Sequence, residues 1–346
     1  MRGEMSWTWA WLLASGLAFA APPQSRATAC VTCHRAQAIP QPDTPMGRAL
    51  ELPATQTILK AHPLLTFSRP GYSYTIERKG DLITYTVSDG HDTLSLPIRY
   101  AMGVHSQTFV LEHQGRYYES LVSYYPAVGG LAITMGAEKI QPHNLVEAMG
   151  RELPASEAAS CFGCHSTGAV TQGRLTIDTM QPGIQCEHCH AGAGKHAEDI
   201  AHGKADSIPR KLGQMSAEDL SEFCGSCHRS WETVVRMRVW GPLNVRFQPY
   251  RLANSKCFNG TDARIRCVAC HDPHKDLVRD DAAYDGKCLA CHAPAQPSAS
   301  TAAKVCPVSK GNCVSCHMPK VELPGSHARF TDHDIRIVRA NESYPN

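Results

Sequence analysis

The sequence predicts irregular loops and short α-helices carrying one small antiparallel β-sheet insert, and three observations predict it. The pentapeptide Cys-x-x-Cys-His occurs seven times; 346 residues include 23 prolines and 26 glycines; and a stretch of alternating apolar residues lies between the first and second pentapeptides. Cys-x-x-Cys-His is the signature for covalent attachment of haem c: two thiols add across the vinyl groups and the adjoining histidine becomes the proximal iron ligand. Proline and glycine at this frequency interrupt regular elements. The expected fold class is therefore a multihaem cytochrome c fold, mostly irregular and short-α, organised around stacked haems that supply much of the apolar core.

Along the chain, residues 1–20 read as an export signal. Arg2 precedes the apolar run WTWAWLLASGLAF, and Ala18-Phe19-Ala20 fits small-x-small, so cleavage is expected after Ala20. That run is too short to span a bilayer comfortably, and no later stretch is apolar enough. The mature chain is expected to be periplasmic, without a membrane span. At 326 residues it would hold one haem per about 47 residues, little protein for so much cofactor.

A first haem-binding segment, 21–65, contains Cys30, Cys33 and His34. A β-rich insert follows at 66–150, with its sheet over 66–135. There Tyr72, Tyr74 and Ile76 alternate, then Ile83, Tyr85 and Val87, about a Lys79-Gly80-Asp81 turn: a hairpin signal. Strand-like runs follow at Thr93–Ile98, Thr108–His113 and Arg116–Tyr124, with Gln114-Gly115 as a turn. A six-haem domain, 151–346, carries Cys161, Cys164 and His165; Cys186, Cys189 and His190; Cys224, Cys227 and His228; Cys267, Cys270 and His271; Cys288, Cys291 and His292; and Cys313, Cys316 and His317. Ser156 is expected to cap a helix into the second motif. Ser216, with Asp219 three residues on, should cap one running into Cys224.

Two other uses of so many cysteines fit less well. Zinc takes four ligands per ion and does not ask for a histidine after every second cysteine. A disulfide framework needs no histidines. Only Cys257 and Cys306 fall outside the motifs; in an oxidising compartment they are expected to pair, or else to sit as buried thiols against a haem. No metal other than haem iron is expected. The formal charge of +2 does not suggest a nucleic-acid binder. Seven ferric haems at −1 each would bring +2 to about −5, which favours redox partners with a positive patch.

The occupant of each sixth iron position separates carriers from catalysts. Eleven histidines remain beyond the seven proximal ones. His188 lies between two attachment cysteines, His91 in a polar turn and His113 on a strand, so these are set aside. The distal candidates are Met46, His62, His105, His143, His196, His202, His274, His327 and His333. His196 and His274 follow their own motifs too closely to round the macrocycle, but each can reach a neighbouring haem. Met46 or its alternative His62 would serve the first iron, and methionine would raise that haem's potential.

These motifs resemble the family of multihaem cytochromes related to the tetrahaem cytochrome c-554 of nitrifying bacteria. CEHCHAGAGKH is similar to its C-E-x-C-H-G-P-G-S-x-H element, which implies an axial role for His196. CVACHDPH is likewise typical, and implies that His274 ligates another haem. The tail CHMPKVELPGSHARFTDHDIRI resembles the last haem segment of such proteins, which implies His327 or His333 as ligands. The likeness covers roughly residues 30–50 and 155–340. It departs in having seven motifs rather than four, in Met46 where a histidine is expected, and in the sheet insert.

The function expected is electron transfer in a respiratory chain, between a quinol-linked donor or other cytochromes and an acceptor, rather than catalysis on a substrate of its own. The alternative is a multihaem oxidoreductase acting on a small nitrogen or sulfur compound at one open haem, although no Cys-x-x-Cys-Lys motif is present. A third reading is a subunit of a conductive assembly.

Overall fold

A computed structural model of the chain describes residues 27–204, 207–293, 306–339, 341–342 and 344–345. The expected signal peptide lies outside the described residues. The dominant body is a nine-stranded antiparallel sheet: β1 (Leu50–Glu51), β2 (Leu64–Arg69), β3 (Tyr72–Lys79), β4 (Leu82–Ser88), β5 (Thr93–Met102), β6 (Gln107–His113), β7 (Arg116–Tyr125), β8 (Gly130–Ile133) and β9 (Gly150–Glu152). Strands β2 to β8 pair in chain order, β1 adds to β5, and β9 adds to β7. β2 and β8 lie against each other, so the sheet curls into a nearly closed barrel.

This corrects the expected fold class. The chain is a large barrel-like sheet plus helices, not a mainly short-helical fold organised around stacked haems with a small insert. The physical reason is the core. Tyr74, Ile76, Ile83, Tyr85, Val87, Ile98, Phe109 and Leu111 pack together and are almost wholly buried. Each large apolar side chain removed from water contributes about 1.5–3 kcal/mol, so side chains alone give this body an interior.

The turns follow the sequence signals. β3 closes on β4 through Gly80 at φ 63°, and β6 closes on β7 through Gln114 at φ 51° and Gly115 at φ 74°. Such two-residue loops require left-handed backbone. β5 pairs with β4 over Thr93–Pro97 and with β6 beyond Ile98, where the register shifts between Ile98 and Tyr100. A bulge there bends the strand and helps the sheet curl.

Short helices follow the sheet, among them Ala155–His165, Ala217–His228 and Gln248–Ala253. Ser216 caps the second as expected, its Oγ accepting from Asp219 N at 3.0 Å. Ser156 does not cap the first, which starts at Ala155 after Pro154 with no side-chain cap. That helix is pinned to the sheet by Phe162, whose fully buried ring meets Tyr100 at 5.0 Å and Tyr117 at 5.6 Å. A second seam joins the segment after the first motif to the one before the third. Ile184 N donates to Met46 O at 2.9 Å, and Gln41 Nε2 donates to Ile184 O at 2.5 Å.

Candidate functional site

A continuous cavity of about 3870 Å³ runs through the helical half, several times the roughly 300–1,000 Å³ of a single small-ligand pocket. All seven motif histidines and every motif cysteine except Cys161 line it. Cys161 packs instead against the cluster of Leu50, Met102, Val110 and Phe162. Most motif cysteines sit on short helical turns such as Cys186–Cys189, Cys267–Cys270 and Cys313–His317, where residues three apart share a face.

Thiols of different motifs adjoin. Cys30 contacts Cys186, Cys164 contacts Cys227, Cys224 contacts Cys267, and Cys288 contacts Cys313. Cys189 is within electrostatic reach of Cys227, and Cys270 of Cys288. As free thiols the Cys164–Cys227 pair splits: hydrogen bonding to Cys164 pulls Cys227 down to about 4, and the same contact pushes Cys164 up. Thioether attachment would remove both protons.

The imidazoles come together in pairs. His190 and His274 have ring centres 6.1 Å apart with planes 11° from parallel; His271 and His333 stand 6.1 Å apart at 42°. Two imidazoles binding one metal from opposite sides, with metal–nitrogen bonds of about 2.0–2.1 Å, hold their centres roughly 6.3 Å apart. Both pairs stand close to that spacing. Among the described residues no three or more His, Cys, Asp or Glu side chains converge on a ready metal cage.

Nδ1 anchoring orients many of these rings. His165 Nδ1 meets Ala49 O at 2.9 Å, His196 meets Ser207 O at 2.7 Å, and His317 meets Arg336 O at 2.8 Å. His190 meets Arg210 O at 3.3 Å, His333 meets Thr331 O at 3.0 Å, and His274 meets Asp272 Oδ1 at 3.0 Å. A hydrogen-bond partner of this kind fixes the tautomer and leaves Nε2 for a metal. Burial lowers the pKa of His271, of His228, and of His333 to about 4. It thus favours the neutral, metal-binding imidazole.

The wall chemistry also suits haem. Twelve lysines and arginines line the cavity against four aspartates, an excess that propionate carboxylates would meet. Exposed-looking apolar groups such as Ile200, Ile208, Leu277 and Val278 line it too, so a bound macrocycle would cover them.

Of the distal candidates, Met46, His105, His196, His274, His327 and His333 line the cavity, whereas His62, His143 and His202 do not. His62 instead meets the Tyr124 hydroxyl at 3.1 Å through Nε2. His202 bonds Glu198 O of its own helix at 2.7 Å, and His143 lies at an exposed helix start. His105 has Arg279 Nη2 3.1 Å from Nε2. His91 and His113 lie in a turn closed by Asp89 and on β6 beside Tyr118. Cys257 and Cys306 are unbonded and both line the cavity, so the expected disulfide is not formed.

One functional element escaped the sequence reading. Arg251, wholly buried, binds Asp332 and Asp334 on either side of His333. The flanking Asp-His-Asp was legible; its arginine lies some 80 residues away.

Comparison with known proteins comes to the same chemistry. The family described as cytochrome c554 and c-prime matches residues 134–191, which hold the second and third motifs. A solved structure titled "Crystal Structure of Outer Cell Wall Cytochrome OcwA" superposes with a TM-score of 0.50 and 15% identity, covering 90% of this chain and 79% of that one. That second likeness concerns the fold alone. No curated protein matches. The seven motifs and the family match together support a multihaem c-type cytochrome with covalently bound haem c.

Proposed function

We propose that the chain is an exported, periplasmic seven-haem cytochrome that passes electrons in a respiratory chain. The observation that carries this reading is the pairing of His190 with His274 and of His271 with His333 at the spacing of two ligands on one iron. Iron held by two imidazoles has no open position and exchanges electrons rather than binding substrate. Bound haem would supply one-electron iron chemistry. The chain's own groups attach it through the motif cysteines, fix imidazole tautomers through Nδ1, and neutralise propionates with wall cations.

His274 would cap the iron of the third motif from just beyond the fifth, locking two haems close together. Met46, His105, His196 and His327 remain the distal candidates for the other irons, with His62, His143 and His202 less suited by position. The division into a first haem segment, a β-rich insert and a six-haem unit belongs to this reading, as do the quinol-linked or cytochrome partners. Among the described residues no helix is long and apolar enough to cross a membrane.

One observation favours the alternative, an oxidoreductase for a small nitrogen or sulfur compound. The Arg279 contact occupies the His105 Nε2, leaving a cation beside an imidazole on the cavity wall, where an anion would bind. Carbon monoxide separates the readings, because it binds only ferrous haem with an accessible sixth position. The dithionite-reduced holoprotein should show no carbon-monoxide shift, and His274→Ala should create one of about one-seventh of the haem absorbance. A shift in the unmodified protein would favour the oxidoreductase.

A further inference from the structure

We propose that Arg251 is a positioning residue that sets two haem sites at once, through the segment Thr331–Arg336. The inference rests on the axial roles of His333 and His317 proposed above. Arg251 sits in the helix Gln248–Ala253 and, like Asp332, is wholly buried. Its Nε and Nη2 reach the two Asp332 carboxylate oxygens at 2.8 and 3.0 Å, and Nη2 also reaches Asp334 at 3.3 Å. Nη1 donates to Pro345 O at 2.9 Å, and the guanidinium lies 4.6 Å from the Tyr344 ring centre. Arg336 completes the knot, donating to Asp332 Oδ2 at 2.7 Å.

Such a knot is expensive to bury, and apolar residues of similar volume would stabilise a core as well. Its distinctive effect is on geometry. His333 lies between the two held aspartates, and its carbonyl accepts from Ser255 Oγ at 2.7 Å while that hydroxyl accepts from Ile335 N at 2.8 Å. The main chain on both sides of His333 is therefore fixed, with its ring centre 6.1 Å from that of His271 of the fifth motif. Three residues later, Arg336 O receives His317 Nδ1 of the seventh motif at 2.8 Å. One ionic knot thus holds a distal imidazole for one iron and orients the proximal imidazole of another. An Nδ1–H donated to a carbonyl makes the imidazole a more basic ligand and favours ferric iron. Loosening the segment should therefore raise the potential of the seventh-motif haem while opening the fifth.

The test uses haem-loaded protein, electron paramagnetic resonance of the oxidised form, a potentiometric titration, and carbon-monoxide binding. Arg251→Met should convert one low-spin signal to high spin, let about one haem bind carbon monoxide, and raise the midpoint of one other haem, leaving the rest unmoved. Arg251→Lys, which keeps charge but not the planar fork, should retain part of both effects. Ser255→Ala should move the same two haems less far, and it carries the test if Arg251→Met does not accumulate. Unchanged spectra and midpoints in Ser255→Ala and Arg251→Lys would overturn the proposal, as would an equal shift of every haem. His333→Ala separates the two layers. If it leaves every haem low-spin, the axial reading fails and the positioning role with it. If it opens one haem while the Arg251 variants do nothing, only the positioning role fails.

Discussion

Phe162 stands between the first and second cysteines of the second attachment motif, yet its side chain belongs to the sheet. It is fully buried among Leu50, Met102, Val110 and Ala169, perpendicular to Tyr100 at 5.0 Å and tilted on Tyr117 at 5.6 Å. Replacing a buried phenylalanine with alanine costs about 3–5 kcal/mol through lost transfer energy and the cavity left behind. Two favourable ring contacts, each contributing about 0.5–1.5 kcal/mol, place Phe162→Ala in the upper part of that range, at about 4.5 kcal/mol. Phe162→Leu keeps most of the volume and should cost about 1.5 kcal/mol. Urea unfolding of the holoprotein, followed in parallel by far-ultraviolet circular dichroism and haem absorbance, reads both. If Phe162→Ala moves the midpoint no further than Leu82→Ala, a change at a residue 59% exposed, then the motif helix is not pinned to the sheet and the packing argument is wrong.

Gly183 sits at φ +67° where an added Cβ would run into the Gly47 carbonyl, so Gly183→Ala should cost about 2 kcal/mol or more in urea melts. Gly173→Ala, at a similar φ but facing open space, isolates the backbone share of that cost; equal losses would show that the close approach is unimportant. Burial pushes the Tyr74 and Tyr100 phenols up to about 12, above the unfolded value of about 10. Their neutral forms thus favour the folded state, a contribution whole below about pH 10 and lost as pH rises toward 12. Tyr74→Phe should flatten part of the alkaline fall in urea midpoint, and an unaltered slope would count against this burial effect. Chain made without haem attachment should keep slow amide exchange in β3 to β7, whose interior is side chain, while the cavity walls exchange fast. Uniform fast exchange throughout would mean that the sheet, too, depends on the cofactor.

The attachment chemistry was legible because it is local: five consecutive residues specify a thioether pair and its histidine. The hairpins were legible for the same reason, since Gly80 and Gln114-Gly115 mark turns that only a few residue types adopt. The extent of the sheet was not. β1 and β9 are two and three residues long, too short to show a period of two, and each exists only because β5 or β7 offers an open edge. The density of haem motifs also pointed to a cofactor-filled core, and nothing local says that alternate positions of β3 to β6 close on one another. Distal ligands raise the same difficulty. His274 meets an imidazole 84 residues earlier and His333 one 62 residues earlier, separations over which spacing carries no information.

The neighbouring thiols define a graph. Going by thiol contacts and electrostatic reach, the first motif neighbours the third, the third and the second both neighbour the fourth, and the fifth, sixth and seventh follow in line. If charge follows those adjacencies, the molecule is not a simple wire, because the second, third and fifth motifs all meet at the fourth. The Cys224–His228 node is a branch point: charge passing along those links from any one of the three neighbours to another crosses it, which makes it a place where flow could be throttled.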